Sequence, residues 1–406
     1  MKISQVGGAV RDRLLNIKTH DRDWVVVGST TYEMLAQGFQ QVGKDFPVFL
    51  HPKTNEEFAL ARTERKVGHG YTGFICDSSQ SVTLEDDLRR RDLTINAIAE
   101  DEQGNIVDPF NGQADIASKT LRHVSNAFTE DPLRVLRVAR FAARFYHLGF
   151  TVAPETLLLM QEITAQGELD HLVPERIWKE LSRALMESNP EIFINVLREC
   201  GALKIVFPEI DALFGVPQPE KHHPEIDTGE HILLGLRYAA ENNFSSRVRF
   251  AVLLHDLGKA LTPKAELPKH IAHEERGIKP INALCNRIKV PNEFKELALL
   301  ACKYHTHCHR ALELKCTPML KTLEGLDAFR RPERFEEFLL CCQADACGRT
   351  GRQNSPYPQA DYFRRARQVA HAIDINLLLD KGLQGAALGE AIREARLDAI
   401  KQINPG

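Results

Sequence analysis

The stretch Gly7-Gly8-Ala9-Val10-Arg11-Asp12, followed by Asp21-Arg22-Asp23-Trp24-Val25-Val26-Val27, constrains the fold of this chain more than any other. Trp24 to Val27 reads as a strand, and carboxylates spaced i, i+2 on an extended backbone project from one face. Asp21 and Asp23 are therefore placed to hold divalent cations side by side. Upstream, the Gly-Gly turn lets a ligand approach the backbone, its amides can face phosphate oxygens, and Arg11 adds a charged fork. A lone Asp-x-Asp is most often a solvated strand end; the glycines and arginine ahead of it favour a metal and phosphate site.

The length of 406 residues allows about two to four domains, and 43% apolar residues supply several cores. No run of about 18 apolar residues occurs. Arg11, Asp12 and Arg13 interrupt the N-terminus before a signal-type apolar core could form, so a cytoplasmic protein without a membrane span is expected. Nine cysteines, an odd number without a C-x-x-C pair, point to reduced thiols. A formal net charge of −3 excludes a generally basic nucleic-acid binder but not a local basic groove.

Residues 1–127 mix strand-like runs (Trp24–Val27, Phe46–Leu50, Phe58–Ala61, Asn105–Val107) with short helical ones, as an α+β head would. From 128 onward the periodicity is helical, with apolar positions near a 3.6 period over 154–166, 174–187, 190–200, 229–241, 246–257 and 274–288. Prolines between Phe207 and Pro224 mark a link. The expected division is a head over 1–127, a helical neck over 128–210, a third domain over 225–330 and a helical tail over 331–406.

Within the head, Arg89, Arg90 and Arg91 lead into Asp92 and Asn96; the spacing suits Arg91 on a phosphate and Asp92 holding an arginine. Glu57, just before a short apolar strand, is a candidate third carboxylate, hard to separate from Glu56. Ala61 to Ser81 reads as a long loop able to move during catalysis. Asp108 and Asp115 read as structural. Thr129 reads as a helix N-cap, and Asp131, Arg134 and Arg137 as one stripe of that helix, an acceptor beside planar donors that can read a base edge.

Taken in order, Gly7-Gly8-x-x-Arg11-Asp12, Asp21-x-Asp23, Arg90-Arg91-Asp92 with Asn96, Asp108 to Asp115, and Glu130-Asp131-x-x-Arg134-x-x-Arg137 resemble the head and neck of class II CCA-adding enzymes. These are tRNA nucleotidyltransferases of the polymerase-beta type, and the likeness spans about the first 200 residues. It implies addition of C, C and A to the tRNA 3′ end from CTP and ATP. It also implies Mg²⁺ on Asp21 and Asp23, the triphosphate on Gly8, Arg11 and Arg91, and base selection by Asp131 and Arg134 with Arg137 and Arg140 nearby. Bacterial poly(A) polymerases share such a head.

The second half carries Leu254-His255-Asp256-Leu257-Gly258-Lys259, with His231 upstream and His270, His273, His305 and Asp345 downstream. Adjacent His and Asp can both ligate one metal. The pattern resembles HD-domain phosphohydrolases, which implies phosphatase, 2′-nucleotidase or 2′,3′-cyclic phosphodiesterase chemistry with a divalent transition metal such as Ni²⁺ or Mn²⁺. His231, His255 and Asp256 are the expected ligands; the rest among His270, His273, His305 and Asp345 stay open. A zinc site from Cys302, His305, His307, Cys308 and His309 is a weaker reading. The alternatives to a CCA-adding enzyme are a poly(A) polymerase, or an HD phosphohydrolase with a tRNA-binding but inactive head. Monomer and homodimer are both compatible with the sequence.

Overall fold

The computed structural model describes residues 1–19, 22–42, 48–66, 74–221 and 223–403, and divides into two compact units, Met1–Val206 and Phe207–Gly406. In the first unit, strands β1 (Lys2–Val6), β2 (Asp23–Val27), β3 (Gln40–Val42), β4 (Val48–Leu50) and β5 (Glu57–Leu60) are followed by a hairpin, β6 (Thr63–Lys66) and β7 (Phe74–Asp77), and then by β8 (Ala99–Asp101) and β9 (Ile106–Val107). Seven of them form one sheet in the order β3-β4-β5-β2-β1-β8-β9, with β2 and β5 parallel and the other pairs antiparallel. The β6–β7 hairpin occupies part of what the sequence reads as a structureless loop. Backbone pairing there does not depend on a regular apolar period, so periodicity cannot reveal it.

Alternation along β2 gives the sheet two different faces. Trp24 and Val26 join a cluster with Met34, Phe39, Phe49, Phe58 and Leu60. Val25, on the same side as Asp23, packs with Val6, Leu88, Ala97 and Ala99. Helices α1 (Gly8–Leu14), α2 (Thr31–Ala36), α3 (Leu84–Arg89) and α4 (Gly112–Ala117) belong to this part, with Asp108 accepting from the amides of Gly112 and Gln113 at the start of α4. Five longer or terminal helices complete the unit: α5 (Leu133–Phe145), α6 (Pro154–Ala165), α7 (Pro174–Ala184), α8 (Pro190–Glu199) and α9 (Ala202–Val206), with α5 packed on α7 and α8.

The start of α5 differs from expectation. Thr129 lies in a 3-10 turn, Asn126–Glu130, where its hydroxyl donates to the Asn126 carbonyl, and the helix begins only after Pro132. Asp131 has extended backbone (φ −117°, ψ 100°) and is not on the helix. Proline at the N-cap position stops the acids ahead of it from continuing the helical turn.

The second unit is helical: α10 (Pro208–Asp211), α11 (Thr228–Glu241), α12 (Ser246–Leu254), α13 (His273–Arg287), α14 (Asn292–His309), α15 (Cys316–Gly325), α16 (Pro332–Cys347), α17 (Pro358–His371), α18 (Asn376–Leu379) and α19 (Gly385–Lys401). Asp227 and Ser245 cap α11 and α12 by accepting from the amides of Glu230 and Val248. Helix α12 packs on α11, α14 and α16, and α16 also packs on α11 and α14. A division at 330/331 would therefore cut through one bundle. The α11–α16 contact is close: a Cβ on Gly348 would sit 2.6 Å from Gly235 Cα and leave no room for a side chain, while one on Gly235 would press on Val252 Cγ1 at 3.1 Å. Among the described residues, no helix is long and apolar enough to cross a membrane.

Candidate active sites

In the first unit the head motifs meet at a cleft of about 780 Å³ lined by Gly7, Gly8, Asp23, Arg91, Asp131 and Arg137, among others. Ten arginines and Lys18 face it against four aspartates, a balance that attracts a polyanion. Gly7 precedes α1 with φ +69°, a left-handed backbone that favours glycine, and a Cβ there would lie 2.7 Å from Arg91 Nη1 and push that guanidinium aside. Gly8 opens α1, whose first amides have no acceptor within the helix.

Asp23 heads β2 and is exposed, and its register partner on the parallel strand β5 is Glu57, also exposed. Register partners share a face, so Glu57 rather than Glu56 stands beside Asp23. Asp21 lies outside the described residues.

The arginines of the cleft are held by a buried acidic frame. Arg11 is only 3% exposed; its Nε and Nη2 donate to Asp12 Oδ1 at 2.8 and 2.6 Å, and Nη1 donates to Asn96. Burial lowers its pKa against the pull of Asp12. Arg91 Nη2 donates to the buried Asp87 at 3.1 Å, which also takes Arg90 at 2.7 Å. Asp92 holds Arg137 at 2.6 Å, so the expected arginine partner of Asp92 is on α5. Arg140 is paired with Glu180 of α7 at 2.6 Å.

The expected helix stripe of Asp131, Arg134 and Arg137 is corrected in detail. Asp131, ahead of the helix, accepts from Arg176 of α7 at 2.7 Å, while Arg134 donates to the carbonyls of Ala127 and Arg90. All three side chains still line the same cleft. Arg176 and Glu180 escape recognition as partners because they lie on a helix distant in sequence. Only their Arg-x-x-x-Glu spacing, which puts both on one helix face, was legible.

The second unit brings together residues from five segments. His231 comes from α11, His255 and Asp256 follow α12, His273 opens α13, His305 is on α14 and Asp345 on α16. All six are buried. His231 Nε2 lies 3.0 Å from Asp345 and 3.7 Å from Asp256; His255 Nε2 lies 3.2 Å from Asp256 and 3.5 Å from Asp345. His273 and His305 Nε2 are 3.1 Å apart, and 3.4 and 3.6 Å from Asp256 Oδ1.

The other ring nitrogens are already engaged. Nδ1 of His255, His273 and His305 meets the carbonyls of Val252, His270 and Ala301 at 2.8, 2.8 and 3.0 Å. That of His231 meets Glu225 at 2.8 Å. A carbonyl can only accept, so these three rings carry the proton on Nδ1 and, when neutral, turn an Nε2 lone pair inward. His270 differs: Nδ1 meets the Thr262 hydroxyl and Nε2 the Pro217 carbonyl, which leaves it no nitrogen for a metal and selects His273 between the two.

These residues fit a divalent transition ion. Imidazole nitrogens and carboxylate oxygens lie within 4.8 Å of one another in overlapping triads that share Asp256, His231, His255 and His305. His255 Nε2 and both Asp256 oxygens are buried without a well-formed hydrogen bond, although Lys259 Nζ lies 2.7 Å from Asp256 Oδ2. Burial opposes charge on His255, but Asp256 and Asp345 outweigh it and lift its pKa to about 10. Burial, reinforced by His255, pushes His305 far below its ordinary value. The weaker zinc reading fails. Cys302 donates to the Glu274 carbonyl, His307 meets Thr322, and no metal-sized group among the described residues contains a cysteine.

Around the centre the structure adds roles the sequence reading did not assign: Glu225 behind His231, Lys259 on Asp256, Arg349 on Asp345 at 3.0 Å, and His309, named only as a zinc candidate, on Asp345 at 2.6 Å. Lys259 and Arg349 had a signal, since they follow their aspartates by three and four residues.

Three family models match the chain: "Poly A polymerase head domain" over residues 3–122, "Probable RNA and SrmB- binding site of polymerase A" over 149–214, and "HD domain" over 228–347. The chain is 60% identical over 401 residues to the Multifunctional CCA protein of Teredinibacter turnerae, covering 99% of this chain and 98% of that one. The chain belongs to the multifunctional CCA protein family. A second member, from Pseudomonas fluorescens (strain Pf0-1), is 61% identical over the same shares.

Among solved structures, the fold is that of the Thermotoga maritima CCA-adding enzyme complexed with tRNA (TM-score 0.64, 20% identity, 100% of this chain and 88% of that one). It is equally that of the Bacillus stearothermophilus CCA-adding enzyme in complex with CTP (TM-score 0.64, 22% identity, 99% and 89%). In this member of the multifunctional CCA family, the HD model reaches residue 347 and so takes in α16 and Asp345.

The Asp92–Arg137 pair sets a stability expectation for the head. Burial raises the pKa of Asp92, but Arg137 more than offsets this and holds it well below the ordinary value of 3.8. A depressed carboxylate contributes stability above its unfolded pKa and loses it as pH falls through the folded one. Arg137→Ala should destabilise the first unit by about 2–3 kcal/mol near neutral pH, discounted for the partial exposure of Arg137. That deficit should shrink as the pH drops below about 4. Urea unfolding of both proteins between neutral and acid pH checks it; a deficit independent of pH refutes the assignment.

Proposed function

We propose that this chain adds C, C and A in turn to the 3′ end of tRNA, using CTP and ATP, and hydrolyses phosphoesters at its HD centre. Full-length identity of about 60% to multifunctional CCA proteins, joined to a head cleft dominated by arginine, carries the reading. The tRNA 3′-hydroxyl attacks the α-phosphorus and pyrophosphate leaves. Bound Mg²⁺ supplies charge neutralisation for the attacking and leaving oxygens. Asp21 and Asp23 would hold it, with Glu57 beside Asp23 on the neighbouring strand.

Gly8 offers its amide to the triphosphate, and Arg11 and Arg91 hold it, kept in place by Asp12 and Asp87. Asp131 and Arg134 present acceptor and donor to the base, with Arg137 and Arg140 lining the approach. Arg176 fixes the Asp131 carboxylate so that selection does not require it to find a rotamer.

At the HD centre, a bound divalent transition ion, Ni²⁺, Mn²⁺ or a similar one, supplies an activated water and polarises the ester. His231, His255 and Asp256 hold it, with His273, His305 and Asp345 as the remaining candidates. Lys259 and Arg349 supply positive charge at the rim for the substrate phosphate.

Incubation with Mg²⁺, CTP, ATP and a tRNA lacking its last three nucleotides tests the head. A product three nucleotides longer that requires both nucleotides supports the proposal. A ladder from ATP alone means a poly(A) polymerase, and no extension means an HD phosphohydrolase with an inactive head.

A further inference from the structure

Two hollows adjoin the HD centre. One, of about 350 Å³, is lined by Lys259, His273, His305 and Asp345. The other, of about 300 Å³, is lined by Arg352, Ser355, Tyr357 and Gln359. His309 and Arg349 line both, so the two meet at the same pair of side chains. We propose that the second hollow is a nucleoside subsite, holding the base of a ribonucleotide whose 2′- or 3′-phosphate, or cyclic phosphate, sits at the HD centre. This inference rests on the phosphohydrolase reading above.

The volume matches the lower end of small-ligand sites, about 300 Å³. Its chemistry is that of base recognition. Tyr357 brings an aromatic ring and the exposed Arg352 a planar cation, both suited to stacking on a base. Ser355 brings a hydroxyl, and Gln359 an amide in the lining whose Oε1 is buried without a hydrogen-bond partner. Nothing in this lining is acidic, which suits a ligand attached to phosphate. A physical chain ties the hollow to the centre: Tyr357 Oη meets His309 Nδ1 at 2.8 Å, and His309 Nε2 meets Asp345 at 2.6 Å. A base against Tyr357 therefore has its ribose beside His309 and its phosphate toward Asp345 and Lys259.

Two measurements on the full chain test the subsite. Hydrolysis of adenosine 2′,3′-cyclic phosphate is compared with that of glycerol 1,2-cyclic phosphate, which has the same strained ring and no base. In Arg352→Ala and, separately, Gln359→Ala, the ratio of kcat/KM for the nucleotide over the base-free ester should fall about tenfold, the size of a lost base contact. Irradiation of the wild-type chain with 8-azidoadenosine 2′,3′-cyclic phosphate should label the peptide containing Ser355 to Gln359, and excess unmodified nucleotide should prevent it. An unmoved ratio in both variants, or label confined to other peptides, overturns the proposal. If neither ester is hydrolysed while that peptide is labelled, the phosphohydrolase reading falls and the subsite stands.

Discussion

Asp23→Ala will abolish nucleotide addition, by about a thousandfold or more, and leave phosphoester hydrolysis at the HD centre in place. Asp23 is exposed at the head of β2 and lines the arginine-rich cleft, whereas its parallel register partner Glu57 is not among the residues that line it. Loss of Asp23 removes one of the two carboxylates proposed to hold the metal; the arginines can still bind the nucleotide but do not organise an in-line displacement between two oxygens. The mutant should accordingly retain CTP binding, measured by equilibrium dialysis, while primer extension on truncated tRNA is lost. The side chain is exposed, so thermal unfolding should shift little. A mutant that extends tRNA at more than a tenth of the normal rate would remove Asp23 from the site.

His255→Ala will do the converse: hydrolysis falls to background, and bound divalent metal drops below stoichiometric after dialysis. Even a partner behind a metal ligand alters affinity by about 10–100-fold, and His255 is itself within 3.5 Å of both aspartates. Removing the ring also leaves Asp256 and Asp345 buried near one another with less positive charge between them. The helical unit should therefore lose stability as well, and the metal content must be read on protein shown to be folded by circular dichroism. Nucleotide addition should persist. Loss of both activities in either mutant, with folding intact, would refute two independent centres.

Much of this was readable from residue patterns, and the failures have local causes. The β2 strand and helices α6, α7, α8, α11 and α13 lie close to their expected apolar segments, whereas no expected segment covers α9 and α10, and α12 is buried all round from Val248 to Leu254. Helix α12 ends at Leu254 where the period runs on to 257, since His255 and Asp256 turn away to meet their partners. The Asp131 stripe was misread because a proline after acids resembles a helix start, whereas here it fixes the residue before it in extended form. The HD ligands could be nominated but not ranked. His270 and His273 differ only in what their ring nitrogens meet, and Pro217 and Thr262, which decide it for His270, have no pattern linking them to a histidine. Arg176 opposite Asp131 and Tyr357 behind His309 are likewise products of packing between distant segments.

The anchoring of the HD imidazoles on main-chain carbonyls has a further consequence. Carbonyls of Val252, His270 and Ala301 belong to the turns and helices that carry the rings, so no neighbouring side chain is needed to aim them. For these three rings, point substitutions around the centre can change its charge, its access and its preferred substrate without misdirecting a ligand; His231 is the exception, aimed by the Glu225 carboxylate. Chemistry there is free to drift over evolutionary time while the aiming stays written in the backbone. Beyond Glu225, a change that shifts a whole helix, such as filling the close contact between Gly235 and Gly348, is what reaches the geometry itself.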